Sequence, residues 1–374
     1  MRMVGNTPFS TLIGHWDKVM PLPHLLIIQE CIYYQLFTLS LAVFIYLDTL
    51  NSSWFQIARP NSTKVQILRF EINRRGPMAS IPHVPCEQCV QGFVMKEEPE
   101  GIMVGDAYLH EGKPLTTDSP DDSGAAATTN EGEATNSSGQ DASKTRAVVL
   151  LTDIFGLPLV NAKLNADEMS RRLGCDVWVP DYFAGRPPFT VEELEPLAPD
   201  RAGVKTGFVN SFKMFILFLI HLPALWASRP PVADARIAEF IKKIKEEKGY
   251  TKIGAVGYCY GGSAAVRLAS KGLVDSVVVC HPGPVSLKEI KAMKVPSAFV
   301  CAESDEYFAP KFRNEAEATF AARKDKPDFV EYEFVDYPGT AHGFAARPNQ
   351  RLPDIVEAYK KAMGQICSWF AKTV

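Results

Sequence analysis

Cys259 lies at the centre of Gly257-Tyr258-Cys259-Tyr260-Gly261, between an apolar run, Ile253 to Val256, and a run of small residues, Gly262 to Ala269. A strand, a tight turn and a helix is the setting in which a glycine-flanked nucleophile does chemistry. The turn strains the backbone of the central residue, and only small neighbours avoid a clash. Its reactive atom is thereby lifted to a helix N-terminus, where free N–H groups and the helix dipole favour negative charge. A thiol attacks well only after losing its proton, which an imidazole can take. That imidazole needs a carboxylate to fix its tautomer and balance its charge. Asp305, in Glu303-Ser304-Asp305, and His342, in Ala341-His342-Gly343-Phe344, answer both needs. A tetrahedral oxyanion needs donors aimed in advance. The N–H of Tyr260 is one candidate, and the N–H of Ile154, in Thr152-Asp153-Ile154-Phe155-Gly156, is the other.

Each residue also has a plainer reading. The glycine motif suits a turn around a structural cysteine, Asp305 could cap a helix starting near Ala309, and His342 could be a satisfied loop histidine. His281, in His281-Pro282-Gly283, is a rival base. What favours chemistry is shared placement. Cys259, Asp305 and His342 each follow a strand-like run, and in an open α/β sheet chemistry gathers outside the carboxyl ends of the strands. His342 is preferred over His281 because it follows the last strand.

The elements that must hold these residues alternate. Strand-like runs are Ala147–Leu151, Cys175–Val179, Ile253–Val256, Val274–Cys280, Ser297–Cys301 and Phe329–Val335. Helical spacing covers Asn161–Leu173, Asp234–Lys248, Ala309–Ala322 and Pro353–Phe370. Strand, helix, strand implies βαβ units and a mainly parallel sheet flanked by helices on both faces, an α/β fold. Ile102 to His110 adds strand character at the start. The segment Phe208–Trp226 is apolar nearly all round, so something must cover it. Three readings stay open for it: a core helix under the sheet, a lid or pocket wall, and membrane contact.

The 374 residues, 46% hydrophobic with net charge −3, suffice for a full core. The near-neutral charge argues against nucleic-acid binding, which needs a basic patch. Eight cysteines without a disulfide pattern suit a reducing compartment, so the expected location is cytoplasmic. Residues 1–77 read as an N-terminal extension before a single catalytic domain, 78–374. Within the extension Leu25 to Leu47 is largely apolar, with Cys31–Leu47 nearly continuous, at the lower edge of a membrane span. If residues 25–47 are retained and span, the basic residues Arg59 to Arg75 on their C-terminal side keep the catalytic domain cytosolic. Met78-Ala79-Ser80 resembles a native start, and a start there removes any membrane contact. Cys86 and Cys89 form a lone C-x-x-C without a second pair, too few ligands for a structural zinc. Residues 116–145 lack large apolar side chains and read as a disordered loop. Oligomeric state is not legible.

At these motifs the chain resembles the dienelactone hydrolase family of α/β-hydrolases, most closely its fungal branch, over roughly Met78 to Val374. The motifs that carry the resemblance are Leu151-Thr152-Asp153-Ile154-Phe155-Gly156, Gly257-Tyr258-Cys259-Tyr260-Gly261-Gly262, Glu303-Ser304-Asp305 and Ala341-His342-Gly343-Phe344. The resemblance implies an α/β-hydrolase fold with a Cys259–Asp305–His342 triad and an oxyanion hole on the backbone of Ile154 and Tyr260. It implies hydrolysis of a small-molecule lactone or other activated carboxylic ester through an acyl-cysteine, with no metal or organic cofactor. Two positions depart from the family. A glutamate that helps switch the cysteine to its thiolate is here Asp153, one methylene shorter, which stands as a candidate site member. Arg347, one residue further from the histidine, stands as a candidate counterpart of an arginine that holds the substrate carboxylate. A non-catalytic ligand-binding protein and a redox-responsive thiol protein are the alternatives from other classes.

Overall fold

The computed structural model describes residues 92–113 and 145–374. The extension 1–77, the proposed start at Met78, the Cys86–Cys89 pair and, Thr145 apart, the loop of 116–145 lie outside the described residues. A short hairpin opens the fold, β1 (Ile102–Val104) and β2 (Ala107–His110), turning at Gly105 with φ 59°. β3 (Arg146–Leu151) leads through α1 (Val160–Leu173) to β4 (Asp176–Pro180). An excursion follows: α2 (Val191–Leu194), a 3-10 turn (Glu195–Leu197), α3 (Phe208–Ile220) and α4 (Leu222–Ala227). The chain then alternates: α5 (Pro230–Lys248), β5 (Lys252–Tyr258), α6 (Tyr260–Lys271), β6 (Ser276–Cys280) and α7 (Leu287–Lys291). It closes with β7 (Ser297–Ser304), α8 (Pro310–Ala321), β8 (Tyr332–Ala341) and α9 (Pro353–Thr373).

The eight strands form one sheet in the order β1-β2-β4-β3-β5-β6-β7-β8. The hairpin joins antiparallel, and β4 through β8 run parallel. Successive strand residues feed opposite faces, as the two-residue period of a strand requires. Val149, Leu151, Ala255, Val277 and Phe299 meet α5, α6 and α8 on one face. Val148, Leu150, Val256, Val278 and Val300 meet α1 and α9 on the other. Each fully buried Val or Leu contributes about 1.5–3 kcal/mol. A one-residue slip would expose a whole face, so this packing fixes the register on which the site depends.

Three differences from the sequence reading have local causes. α5 begins at Pro230, four residues before the expected Asp234, because Pro230 and Pro231 fit the first turn, where an N–H has no acceptor anyway. β8 spans Tyr332–Ala341 rather than Phe329–Val335, since it keeps pairing with β7 past a register shift between Ala302 and Ser304. The excursion is not a core helix under the sheet: no residue of α3 or α4 is buried. Its inner side chains Leu217, Phe218 and Leu225 pack on a small separate cluster of Phe155, Leu159, Phe189 and Val191. Its outer side leaves Phe208, Phe212 and Trp226 largely exposed. No helix among the described residues is long and apolar enough to cross a membrane.

Candidate active site

Sheet order and register bring the chemistry together. After β3 the chain runs to β4 on one side and returns to β5 on the other, so a crevice opens at the carboxyl ends of β3 and β5. Leu151 pairs with Gly257, which sets the loop from Thr152 beside the turn at Cys259. Ser304 pairs with Ala341, so Asp305 and His342 leave adjacent strands side by side.

The turn at Cys259 has the strained geometry expected, with φ 52° and ψ −110°. Its neighbours must be glycine for space. A Cβ on Gly257 would lie 2.1 Å from the Gly261 carbonyl oxygen, and one on Gly261 would lie 2.2 Å from that of Leu151. Backbone bonds hold the turn: the Cys259 N–H donates to the Cys280 carbonyl (3.2 Å), and its own carbonyl accepts from Ser263 (3.1 Å) and Gly283 (2.8 Å). The Gly261 N–H donates to the Thr152 carbonyl (3.0 Å), tying α6 to the loop after β3. Cys259 is partly exposed, whereas Cys175, Cys280, Cys301 and Cys367 are buried. Burial pushes the Cys175 and Cys301 thiols up to about 12 and Cys367 up to about 11.

Asp305 is almost fully buried and divides its oxygens. Oδ1 accepts from the N–H groups of Tyr307 (2.9 Å) and Phe308 (3.1 Å), and Oδ2 lies 2.8 Å from Nδ1 of His342. It therefore orders the turn before α8, whose N-cap residue is Ala309. Nε2 of His342 is buried without an aligned hydrogen-bond partner among the described residues. Burial works against a charge on this imidazole. Cys259, first through charge, and Asp305, through charge and a hydrogen bond, outweigh it and push its pKa up to about 10. The arrangement therefore favours a protonated imidazole.

The rival base, His281, sits behind this pair. Its ring is fully buried, packs edge-on against His342 at 5.1 Å, and neither nitrogen has a hydrogen-bond partner among the described residues. Burial first, then the charges of His342 and Arg347, push its pKa well below the ordinary value, so it is a neutral ring without a carboxylate. The N–H of Tyr260 is at the first position of α6, where no acceptor exists one turn back. Ile154 follows Thr152 and Asp153 at the end of β3, and its side chain joins the cluster under α3 and α4.

Asp153 and Arg347 also reach the site, but they engage each other. Oδ2 of Asp153 accepts from Nη1 of Arg347 (2.9 Å), and Oδ1 accepts from the Phe155 N–H (3.1 Å). The arginine's Nε donates to Oε1 of Glu195, and its guanidinium lies over the Phe155 ring at 4.9 Å. Glu195 is a residue that sequence reasoning missed. It stands in a short turn of a long excursion, and no local pattern marks a carboxylate that tertiary packing buries. The segment carrying Arg347 is held from α1, where Asn161 and Asn165 donate to the Ala346 carbonyl (3.5 and 3.3 Å). Among the described residues no group of three or more His, Cys, Asp or Glu side chains is arranged to hold a metal ion.

Comparison with known proteins adds to this geometry. The family model of the dienelactone hydrolase family matches residues 134–374. The chain is 32% identical over 230 residues to "Hydrolase pyvD" of Aspergillus violaceofuscus, covering 62% of this chain and 82% of that protein. It is 28% identical over 230 residues to a carboxymethylenebutenolidase homolog of Homo sapiens, covering 61% and 82%. The solved structure of a dienelactone hydrolase from Anabaena variabilis aligns with 75% of this chain and 98% of its own, at 13% identity and a TM-score of 0.43.

Proposed function

Because the chain belongs to the dienelactone hydrolase family, we propose that it hydrolyses lactones or other activated carboxylic esters through an acyl-Cys259 intermediate. The observation that carries this reading is the strained turn that presents Cys259 beside the His342–Asp305 pair. His342 Nε2 takes the thiol proton, and the thiolate adds to the ester carbonyl. The N–H groups of Tyr260 and Ile154 donate hydrogen bonds to the developing oxyanion. Collapse expels the alcohol, which takes the proton from the imidazolium, and leaves a thioester on Cys259. Water then attacks the thioester with His342 as base, releasing the acid and restoring the thiol. Asp305 keeps Nδ1 protonated and balances the imidazolium, as in triads on unrelated folds. The partner is thus a small-molecule ester or lactone, and no step calls for a bound cofactor.

The test is hydrolysis of a panel by the full chain and by Cys259→Ala. The panel holds dienelactone, p-nitrophenyl acetate and esters of longer acids. Turnover that disappears in the variant is expected. A folded wild type that turns over no ester, yet is reversibly oxidised at Cys259 by peroxide, would favour a redox-responsive thiol instead, since Cys259 is the one described cysteine that is not buried.

A further inference from the structure

Arg347 raises a question that the triad leaves open: which acyl groups does the site accept? A lone buried guanidinium beside a nucleophile is a receptor for a substrate carboxylate. This one is not lone. Its Nη1 serves Asp153, its Nε serves Glu195, and its face is covered by Phe155. All three charged residues are nearly inaccessible, Asp153 at 4%, Glu195 at 5% and Arg347 at 6% exposure. With both carboxylates ionised the cluster carries one net negative charge. With one of them protonated it is neutral. In neither state does it offer a free positive charge.

Resting on the acyl-cysteine reading above, we propose that Glu195 is a specificity-determining residue that makes the site selective for esters with an uncharged acyl group. A carboxylate on the substrate would have two ways to approach Arg347. It could displace Glu195 or Asp153, leaving a buried carboxylate without its partner, which is strongly unfavourable. It could instead sit beside them and be repelled in a medium of low dielectric. The cluster lies beside the reaction centre: Gly343, the residue after His342, packs so closely on the guanidinium that a Cβ there would lie 2.6 Å from Nη2 of Arg347, and Asp153 immediately precedes Ile154. Ile154, Leu217 and Phe218 pack on the apolar cluster that includes Phe155, whose ring covers Arg347, and such side chains suit a neutral acyl chain.

The first test needs no turnover. Cys259 of the full chain is alkylated with neutral iodoacetamide and with anionic iodoacetate, with glutathione as the reference thiol. The expected preference for iodoacetamide exceeds that of glutathione by about tenfold or more, the effect of one unbalanced charge at close range. Glu195→Gln removes the excess negative charge, leaving Arg347 balanced by Asp153 alone, and brings the preference down toward that of glutathione. A wild-type preference equal to or below that of glutathione overturns the proposal, whatever the esters do. The second test compares p-nitrophenyl butyrate with the mono-p-nitrophenyl ester of succinic acid, which ends in a carboxylate. Wild type is expected to favour the neutral ester by about a hundredfold in kcat/KM, since like-charge contacts in a desolvated site discriminate strongly. Glu195→Gln should narrow that ratio about tenfold. An anionic ester hydrolysed as well as the neutral one, or a variant that loses both activities in equal proportion, would count against it. Both wild-type ratios stand even if the variant fails to fold, and a chain that alkylates as expected but hydrolyses neither ester would sink the catalytic reading alone.

Discussion

Asp305→Asn isolates charge from structure. The amide oxygen still accepts the N–H groups of Tyr307 and Phe308, which Oδ1 accepts at 2.9 and 3.1 Å, so the turn before α8 survives. What changes is the group facing Nδ1 of His342, now 2.8 Å from a carboxylate oxygen. An amide NH2 there cannot accept the Nδ1 proton, so the ring adopts the other tautomer and presents a protonated Nε2 to the thiol. It can then no longer act as the base. With charge centres about 4 Å apart, the lost pairing is worth about 4 kcal/mol at an effective dielectric constant near 20. Partial exposure of the imidazole reduces this to about 2–4 kcal/mol, so kcat/KM should fall by about 10² to 10³. The alkaline limb of the pH profile should move as well. In the wild type the imidazolium persists until about pH 10, against an ordinary value of 6.5. In the variant the limb shifts down toward that ordinary value. Stability follows the same proton. A histidine whose pKa is raised by folding adds stability below its unfolded pKa and loses it as pH rises toward its folded one. Wild-type unfolding free energy should therefore decline between pH 6.5 and about 10, and the variant's should decline less. The assays are a pH profile of kcat/KM on an activated ester and urea unfolding at matched pH values. Unchanged kcat/KM with the limb still near pH 10 would refute the pairing of Asp305 with His342 as the working unit.

Other expectations concern space and exposure. Gly257→Ala should destabilise by about 3 kcal/mol or more in urea unfolding, because its Cβ would meet backbone that cannot rotate away (2.1 Å to the Gly261 oxygen). Gly364→Ala, in α9 with nothing within 4 Å of the new Cβ, should instead stabilise by about 0.5–1 kcal/mol by the same measurement. Phe208→Ser together with Phe212→Ser should change stability by less than about 0.5 kcal/mol each, since these side chains are 79% and 51% exposed. Phe218→Ala should cost more than either, because its ring packs on Phe189 at 4.8 Å.

How far the sequence carried depends on whether a feature is local. The turn at Cys259 was legible because its causes lie within five residues: a strand, two glycines required by contact with backbone, and a helix of small residues. Asp305 and His342 were legible because each immediately follows a strand, and parallel neighbours deliver their next residues side by side, here through the pairing of Ser304 with Ala341. His281 follows a strand too, so position alone left it a rival. What separates them is the carboxylate: β7 ends at Asp305 beside β8, and the pairing of Tyr258 with Cys280 sends His281 beside Cys259 without an acid. The partners of Arg347 lie beyond any local pattern. Glu195 is 152 residues away from it along the chain, and Asp153 is 194 away. The same gap governs the apolar excursion. Its composition asks for a cover, and its helices pack one partly buried side on the cluster of Phe155 and Phe189. That side packs on the same apolar cluster as Ile154, so the segment least like an enzyme core in sequence comes to lie against the loop that follows β3. A neutral acyl chain is the kind of group such apolar side chains can hold, and the nearest buried carboxylates, Asp153 and Glu195, are already engaged by Arg347.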